Sequence, residues 1–80
     1  MSEAIEFKDS ISTKEFCRLR QSVGFQKLTD EQAKRVLENT SIIINVVHKS
    51  KSIGIVRILT DMVTDAYITD VIIDPDFLKG

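Results

Sequence analysis

The chain is poor in the residues that staple, break or hinge a fold. Its 80 residues include 1 cysteine, 1 proline, 3 glycines and no tryptophan. The lone Cys17 excludes an internal disulfide framework, and a single thiol fits a reducing, cytoplasmic setting. So little proline and glycine, with no repeat or low-complexity stretch, leaves nothing to serve as a flexible linker, and residues 1–80 read as one domain. Neither charge sign prevails: 11 basic and 12 acidic residues give a net charge of −1. That provides no basic field to attract nucleic acid or an anionic membrane. No apolar run approaches the ~20 residues needed to span a bilayer. The opening MSEAIEFKD has no cationic flank followed by an apolar stretch, so a secretory signal is not expected. One histidine and one cysteine, far apart, supply no metal-ligand spacing. Neither GxGxxG nor a Walker A stretch is present, so no complete phosphate cradle is encoded.

What is present has the balance of a globular domain, with 42% hydrophobic and 29% charged residues. Residues 3–8, EAIEFK, alternate weakly and predict a short strand with Ile5 and Phe7 on one face. Two helix starts follow. STKE places Ser12 at an N-cap with Glu15 three residues on, the pattern of a capping box. Phe16, Leu19 and Val23 recur at helical spacing, and Gly24 is the expected stop. TDEQ repeats the signature with Thr29 and Gln32, and Ala33, Val36 and Leu37 form the buried stripe. Leu28 and Ala33 stand where a hydrophobic staple would place them. From Ser41 the period changes. SIIINVV (41–47), SIGIVRIL (52–59) and AYITDVII (66–73) are rich in β-branched residues suited to strands. KSKS fits a hairpin loop, although it lacks the usual Asn-Gly, and TDMVTD (60–65) fits the next turn. The expected architecture is α+β: a strand, two helices, then a three-stranded antiparallel meander.

Candidate chemistry is sparse. His48 reads as an exposed turn histidine and Cys17 as a half-buried core thiol, with no Cys–His pair. Asp61, Asp65 and Asp70 gather around the last hairpin. Alternation puts Ile68, Asp70 and Ile72 on one face of the last strand and Tyr67, Thr69, Val71 and Ile73 on the other. An acid between two isoleucines suits a general base toward an amine; the alternative is a hydrogen-bonded sheet residue, the commoner outcome.

The order of these pieces, with FCRLRQSVGF (16–25), LTDEQAKRVLENT (28–40), KSIGIVRIL (51–59) and YITDVIIDPDF (67–77), resembles the N-terminal half of the GNAT (GCN5-related) N-acetyltransferases. The resemblance covers essentially the whole sequence. It implies a partial GNAT fold and acetyl transfer from acetyl-CoA to a small-molecule amine. It also implies that Val71, Ile72 and Ile73 hold the pantetheine arm through backbone groups. Asp70 is then the candidate acceptor of the amine proton, and Tyr67 a residue that orients substrate.

The sequence departs from that pattern at its close. Leu78 stands where the Q/R-x-x-G-x-G/A motif commonly begins, and Gly80 comes before the motif's two later small residues. The expectation is that these 80 residues, taken alone, are inactive. In the full fold a following helix would cover the apolar last strand. Without that cover, the expectation is a homodimer formed through the last strand or its uncovered face. A non-catalytic, self-associating interaction module is the alternative function.

Overall fold

A computed structural model describes residues 4–78. The elements are β1 (Ile5–Lys8), α1 (Thr13–Ser22), α2 (Asp30–Glu38), β2 (Ile42–His48), β3 (Lys51–Thr60), β4 (Ala66–Ile73) and a one-turn α3 (Pro75–Leu78). The strands form one antiparallel sheet in the order β1-β2-β3-β4, which leaves β4 at an edge. The α+β order expected from the sequence is the order found. Residue 3, the first of the expected initial strand, lies outside the described residues.

The helices start and stop for local reasons. Ser12 caps α1 by accepting from Glu15 N–H, and Thr29 and Gln32 form a complete reciprocal box on α2. The box expected at α1 is only half made, because the Glu15 carboxylate turns toward Arg18 and the Ser52 N–H. At the other end Gly24 takes φ +80°, and the N–H groups of Gly24 and Phe25 return to the carbonyls of Gln21 and Arg20. That pattern is a Schellman motif, which needs a left-handed residue where glycine pays no Cβ penalty. Val23 serves as the C-cap and is 37% exposed, so the α1 stripe buries Phe16 and Leu19 only.

Both helices lie on one face of the sheet. Phe16, Leu19, Ala33, Ile55 and Ile72 form the buried cluster, flanked by Ile11, Cys17, Leu28, Val36, Leu37 and Ile43. Burying each large side chain of this set contributes about 1.5–3 kcal/mol. Residues paired across an antiparallel ladder point to the same side. The other face therefore carries Phe7, Val46, Gly54 and Ile73, together with Ile44, Val56 and Val71. No described helix covers that second face beyond the single turn of α3.

Two irregularities reset the strand alternation. Ile53 has no partner in the β2–β3 register, where Val46 pairs with Gly54 and Val47 with Ser52. Thr69 has none in the β3–β4 register, where Arg57 pairs with Asp70 and Ile58 with Ile68. Each is a bulge. The second corrects the expected faces of β4: Ile68 does not share the helix side with Asp70 and Ile72. It pairs with Ile58, turns to the open face and is 66% exposed. His48 is partly buried at the end of β2, with its ring 5.4 Å from Phe77, rather than an exposed turn residue.

The β2–β3 loop is shorter than KSKS suggested. His48 pairs with Lys51, leaving Lys49 and Ser50 as a two-residue turn with φ 51° and 63°. Both central residues are left-handed, as in a type I′ turn, which suits the strand twist but favours Asn-Gly. Replacing Lys49 with Asn and Ser50 with Gly is therefore expected to stabilise the chain by about 1 kcal/mol. Urea unfolding should show a higher midpoint at unchanged slope; an unchanged or lower midpoint would contradict the turn assignment.

Candidate functional site: the open edge of β4 and its corner

The open edge of β4 has a definite phase. Asp74 N–H donates to the Ile53 carbonyl at 2.8 Å, so it points into the sheet. Backbone direction alternates along a strand, so Ile72, opposite Ile55, also turns its N–H and C=O toward β3. Val71 and Ile73 must then turn theirs to the free edge. Of the three residues expected to offer backbone groups, two present them outward and Ile72 spends its own on the ladder. Their side chains follow the same alternation: Ile72 is buried under the helices, while Val71 and Ile73 are 62% and 48% exposed on the open face.

The corner after β4 is held by a charged cluster that the sequence reading did not find. Asp74 is 3% exposed. Its Oδ1 accepts from Asp76 N–H at 2.9 Å, and its Oδ2 accepts from Arg18 Nη1 at 2.9 Å, with Lys51 Nζ 3.8 Å away. Arg18 Nη2 donates to Glu15 Oε2 and to the Ser52 carbonyl, each at 2.5 Å. Ser52 N–H returns to Glu15 at 3.3 Å. The signal for Asp74 was in the sequence, since Asp-Pro-Asp is a good N-cap followed by proline at the first helical position. Nothing in the sequence placed Arg18, 56 positions away, beside it.

Asp70 sits on the helix side, where Arg57 Nε donates to its Oδ2 at 2.6 Å. Arg57 Nη1 donates to Thr40 Oγ1, which ties β3 to the end of α2, and the guanidinium lies 5.7 Å from the Phe16 ring centre. The other Asp70 oxygen accepts no hydrogen bond among the described residues. Tyr67 pairs with Leu59 and is 68% exposed. It lines a hollow of about 360 Å³ with Leu59, Asp61 and Asp65. Leu59 also borders a groove of about 490 Å³ between α2 and β3, walled by Leu28 and Val36 and bearing Arg35 and Arg57. The three acids therefore do not act as one group. Asp61 Oδ1 accepts the N–H groups of Val63, Thr64 and Asp65, which hold its carboxyl well below the usual range. Asp65 stays with Asp61 and Tyr67, and Asp70 lies apart with Arg57. No group of three or more His, Cys, Asp or Glu residues able to hold a metal occurs among the described residues.

An edge strand with two outward backbone positions, a corner pinned from a helix and a half-covered antiparallel sheet can be compared with known proteins. An uncharacterized N-acetyltransferase of Pyropia yezoensis, ycf52, is 38% identical over 86 aligned positions, covering 94% of this chain and 49% of that protein. A probable acetyltransferase of unknown function from Staphylococcus aureus superposes with a TM-score of 0.81 at 23% identity, covering 92% of this chain and 56% of its own. A GNAT-family acetyltransferase from Streptococcus pneumoniae gives 0.72 at 20% identity, over 94% and 55%. The chain has the GNAT acetyltransferase fold, in part. No family profile matches it. The chain spans about half the length of the curated relative it matches. In GNAT terms, the described β4 is the strand from which the sequence resemblance implied cofactor recognition, and no helix long and apolar enough to cross a membrane occurs among the described residues.

The corner cluster makes stability depend on pH with a definite sign. Asp74 is held below its ordinary 3.8, first by Asp76 N–H and then by Arg18, against the opposing pull of burial. Glu15 is held below 4.5, first by the Arg18 hydrogen bond, again against burial. A lowered folded-state pKa contributes stability that is fully present above the unfolded value and lost as pH falls through the folded one. Unfolding free energy is expected to drop on acidification below 4.5 and then 3.8, with Asp74→Asn showing a shallower acid loss. An acid limb identical in Asp74→Asn and the parent chain would contradict this.

Proposed function

We propose that the chain supplies the pantetheine-reading strand of a GNAT N-acetyltransferase that moves an acetyl group from acetyl-CoA to an amine. The observation that carries this reading is the outward phase of Val71 and Ile73 on an unpaired edge, within a fold that matches GNAT structures. Two N–H and two C=O groups on one free edge fit a ligand that itself carries amides, as a pantetheine arm does. Acetyl-CoA, when bound, supplies the acetyl thioester. This chain's part would be to fix the arm along β4 and to take the proton that the acceptor ammonium must lose before its nitrogen can bond to the acetyl carbon. The thioester C–S bond breaks in exchange, and the nitrogen's surplus proton goes to the departing CoA thiolate. Asp70 is the carboxylate proposed for the ammonium proton: its Oδ2 is held by Arg57 and its other oxygen accepts no hydrogen bond among the described residues. Tyr67, exposed beside Asp61 and Asp65, is proposed to orient the acceptor, whose cationic form those acids favour. The free thiol of Cys17 supports a cytoplasmic setting.

Residues 1–80 contain no G-x-G/A stretch after β4, the element expected to take the pyrophosphate through backbone amides. Taken alone, they are expected to bind acetyl-CoA more weakly than ~100 μM, about 5.5 kcal/mol, and to show no transfer. Isothermal calorimetry with acetyl-CoA measures this. Tighter binding would refute the need for a separate pyrophosphate site.

A second reading, a self-associating module, is favoured by one specific observation. Phe7, Ile68, Val71 and Ile73 are 72%, 66%, 62% and 48% exposed on the same uncovered face, next to a free strand edge. An apolar face and an unpaired edge together favour a second copy. The chain is expected to dimerise in the micromolar range by sedimentation equilibrium; a stable monomer at high micromolar concentration would exclude this reading.

A further inference from the structure

We infer that Arg18, on α1, is a positioning residue for acetyl-CoA, acting through Asp74 to hold the phase of β4. The inference rests on reading β4 as the pantetheine edge. Ile72 is the single buried apolar residue of β4. Packing therefore anchors this edge strand from the helix layer at one point. A slip of one residue would move each backbone group to the opposite edge and each side chain to the opposite face. Val71 and Ile73 would then face β3, and Ile72 would face the ligand.

The Asp74 corner opposes that slip at the C-terminal end of β4, as the Arg57–Asp70 pair does nearer its middle. Its N–H is fixed to the Ile53 carbonyl and its carboxylate to Arg18, so main chain and side chain are held by different elements. Arg18 is itself immobilised by Glu15 and the Ser52 carbonyl, immediately beside the unpaired Ile53 of β3. The clamp thus runs from α1 to the β3 bulge to the end of β4. A shift of one residue carries Asp74 about 3.3 Å along the strand. Such a shift breaks the 2.9 Å contact with Arg18. Among the described residues the ion-paired groups at this corner are Glu15, Arg18, Lys51 and Asp74, two of each sign. The arrangement suits alignment of a neighbouring strand rather than contact with the cofactor's phosphates.

The test is a titration of the ¹⁵N-labelled chain with acetyl-CoA into the millimolar range, followed at the amides of Val71 and Ile73. Asp74→Asn removes the ion pair but keeps an acceptor for Asp76 N–H; Arg18→Met removes it from the other side. In each variant the apparent Kd is expected to rise about fivefold, near 1 kcal/mol, measured well below a melting temperature that falls in both variants as the Asp74 carboxylate or its Arg18 partner is lost. Arg18→Lys, which can still reach one carboxylate, is expected to recover part of the loss. Folded variants that bind with the parent Kd would overturn the role of Arg18 while leaving the cofactor reading intact. A parent chain whose Val71 and Ile73 amides do not respond to acetyl-CoA would overturn the cofactor reading, and this inference with it.

Discussion

One choice of phase in β4 fixes most of what this molecule can do. A strand alternates in two directions at once: side chains above and below the sheet, backbone groups left and right along it. Ile72 puts its side chain into the core beneath α1 and α2, and in the same register its N–H and C=O enter the ladder with β3. Val71 and Ile73 are then obliged to offer apolar side chains to the open face and backbone groups to the open edge. Burial of one isoleucine and presentation of two peptide groups are a single structural fact. This explains how an apolar strand can be a recognition surface without a polar side chain on it.

The same phase divides the sheet into unlike faces. The helix side is closed by Phe16, Leu19 and Ala33 and carries the cross-strand ion pair Arg57–Asp70 close under that layer. The other side is apolar and covered only at its margin. There α3 encloses a hollow of about 320 Å³ over Gly54, between Val46, Ile73 and Phe77. A Cβ on Gly54 would lie 3.2 Å from the Ile72 carbonyl oxygen, tighter than an ordinary Cβ contact, so glycine fits this position of β3. Each large side chain left in water on this face forgoes roughly 1.5–3 kcal/mol of burial. Against the ~5–15 kcal/mol net stability of a small domain, that is a strong bias toward covering it.

Much of this was legible in the sequence. Both helix starts were written as cap signatures, the change from helical to strand period at Ser41 was sharp, and β4 was bounded at residues 66–73. The misreadings have specific causes. The bulge at Thr69 is invisible to a strict period of two, so Ile68 was placed on the wrong face. Glu15 suited a capping box, but Arg18 and Ser52, brought near by tertiary packing, compete for its carboxylate. The site was harder to read than the fold because its geometry rests on long-range pairs. Arg57 meets Asp70 only through the β3–β4 register, and Arg18 meets Asp74 only once α1 lies on the sheet. Residue identity pointed to Asp70 and Tyr67. It could not show that Asp70 has an arginine partner, or that Tyr67 and Asp65 share a hollow from which Asp70 is absent.

Amide hydrogen exchange, at concentrations below any self-association, reads the phase of β4 residue by residue. The Ile72 and Asp74 amides, bonded into β3, should be protected to near the level of the β2–β3 ladder. The Val71 and Ile73 amides, directed to the free edge, should exchange close to unprotected rates. The opposite pattern, with Val71 and Ile73 protected and Ile72 open, would mean that the strand sits one residue out of this register, and the account of the site would fail with it.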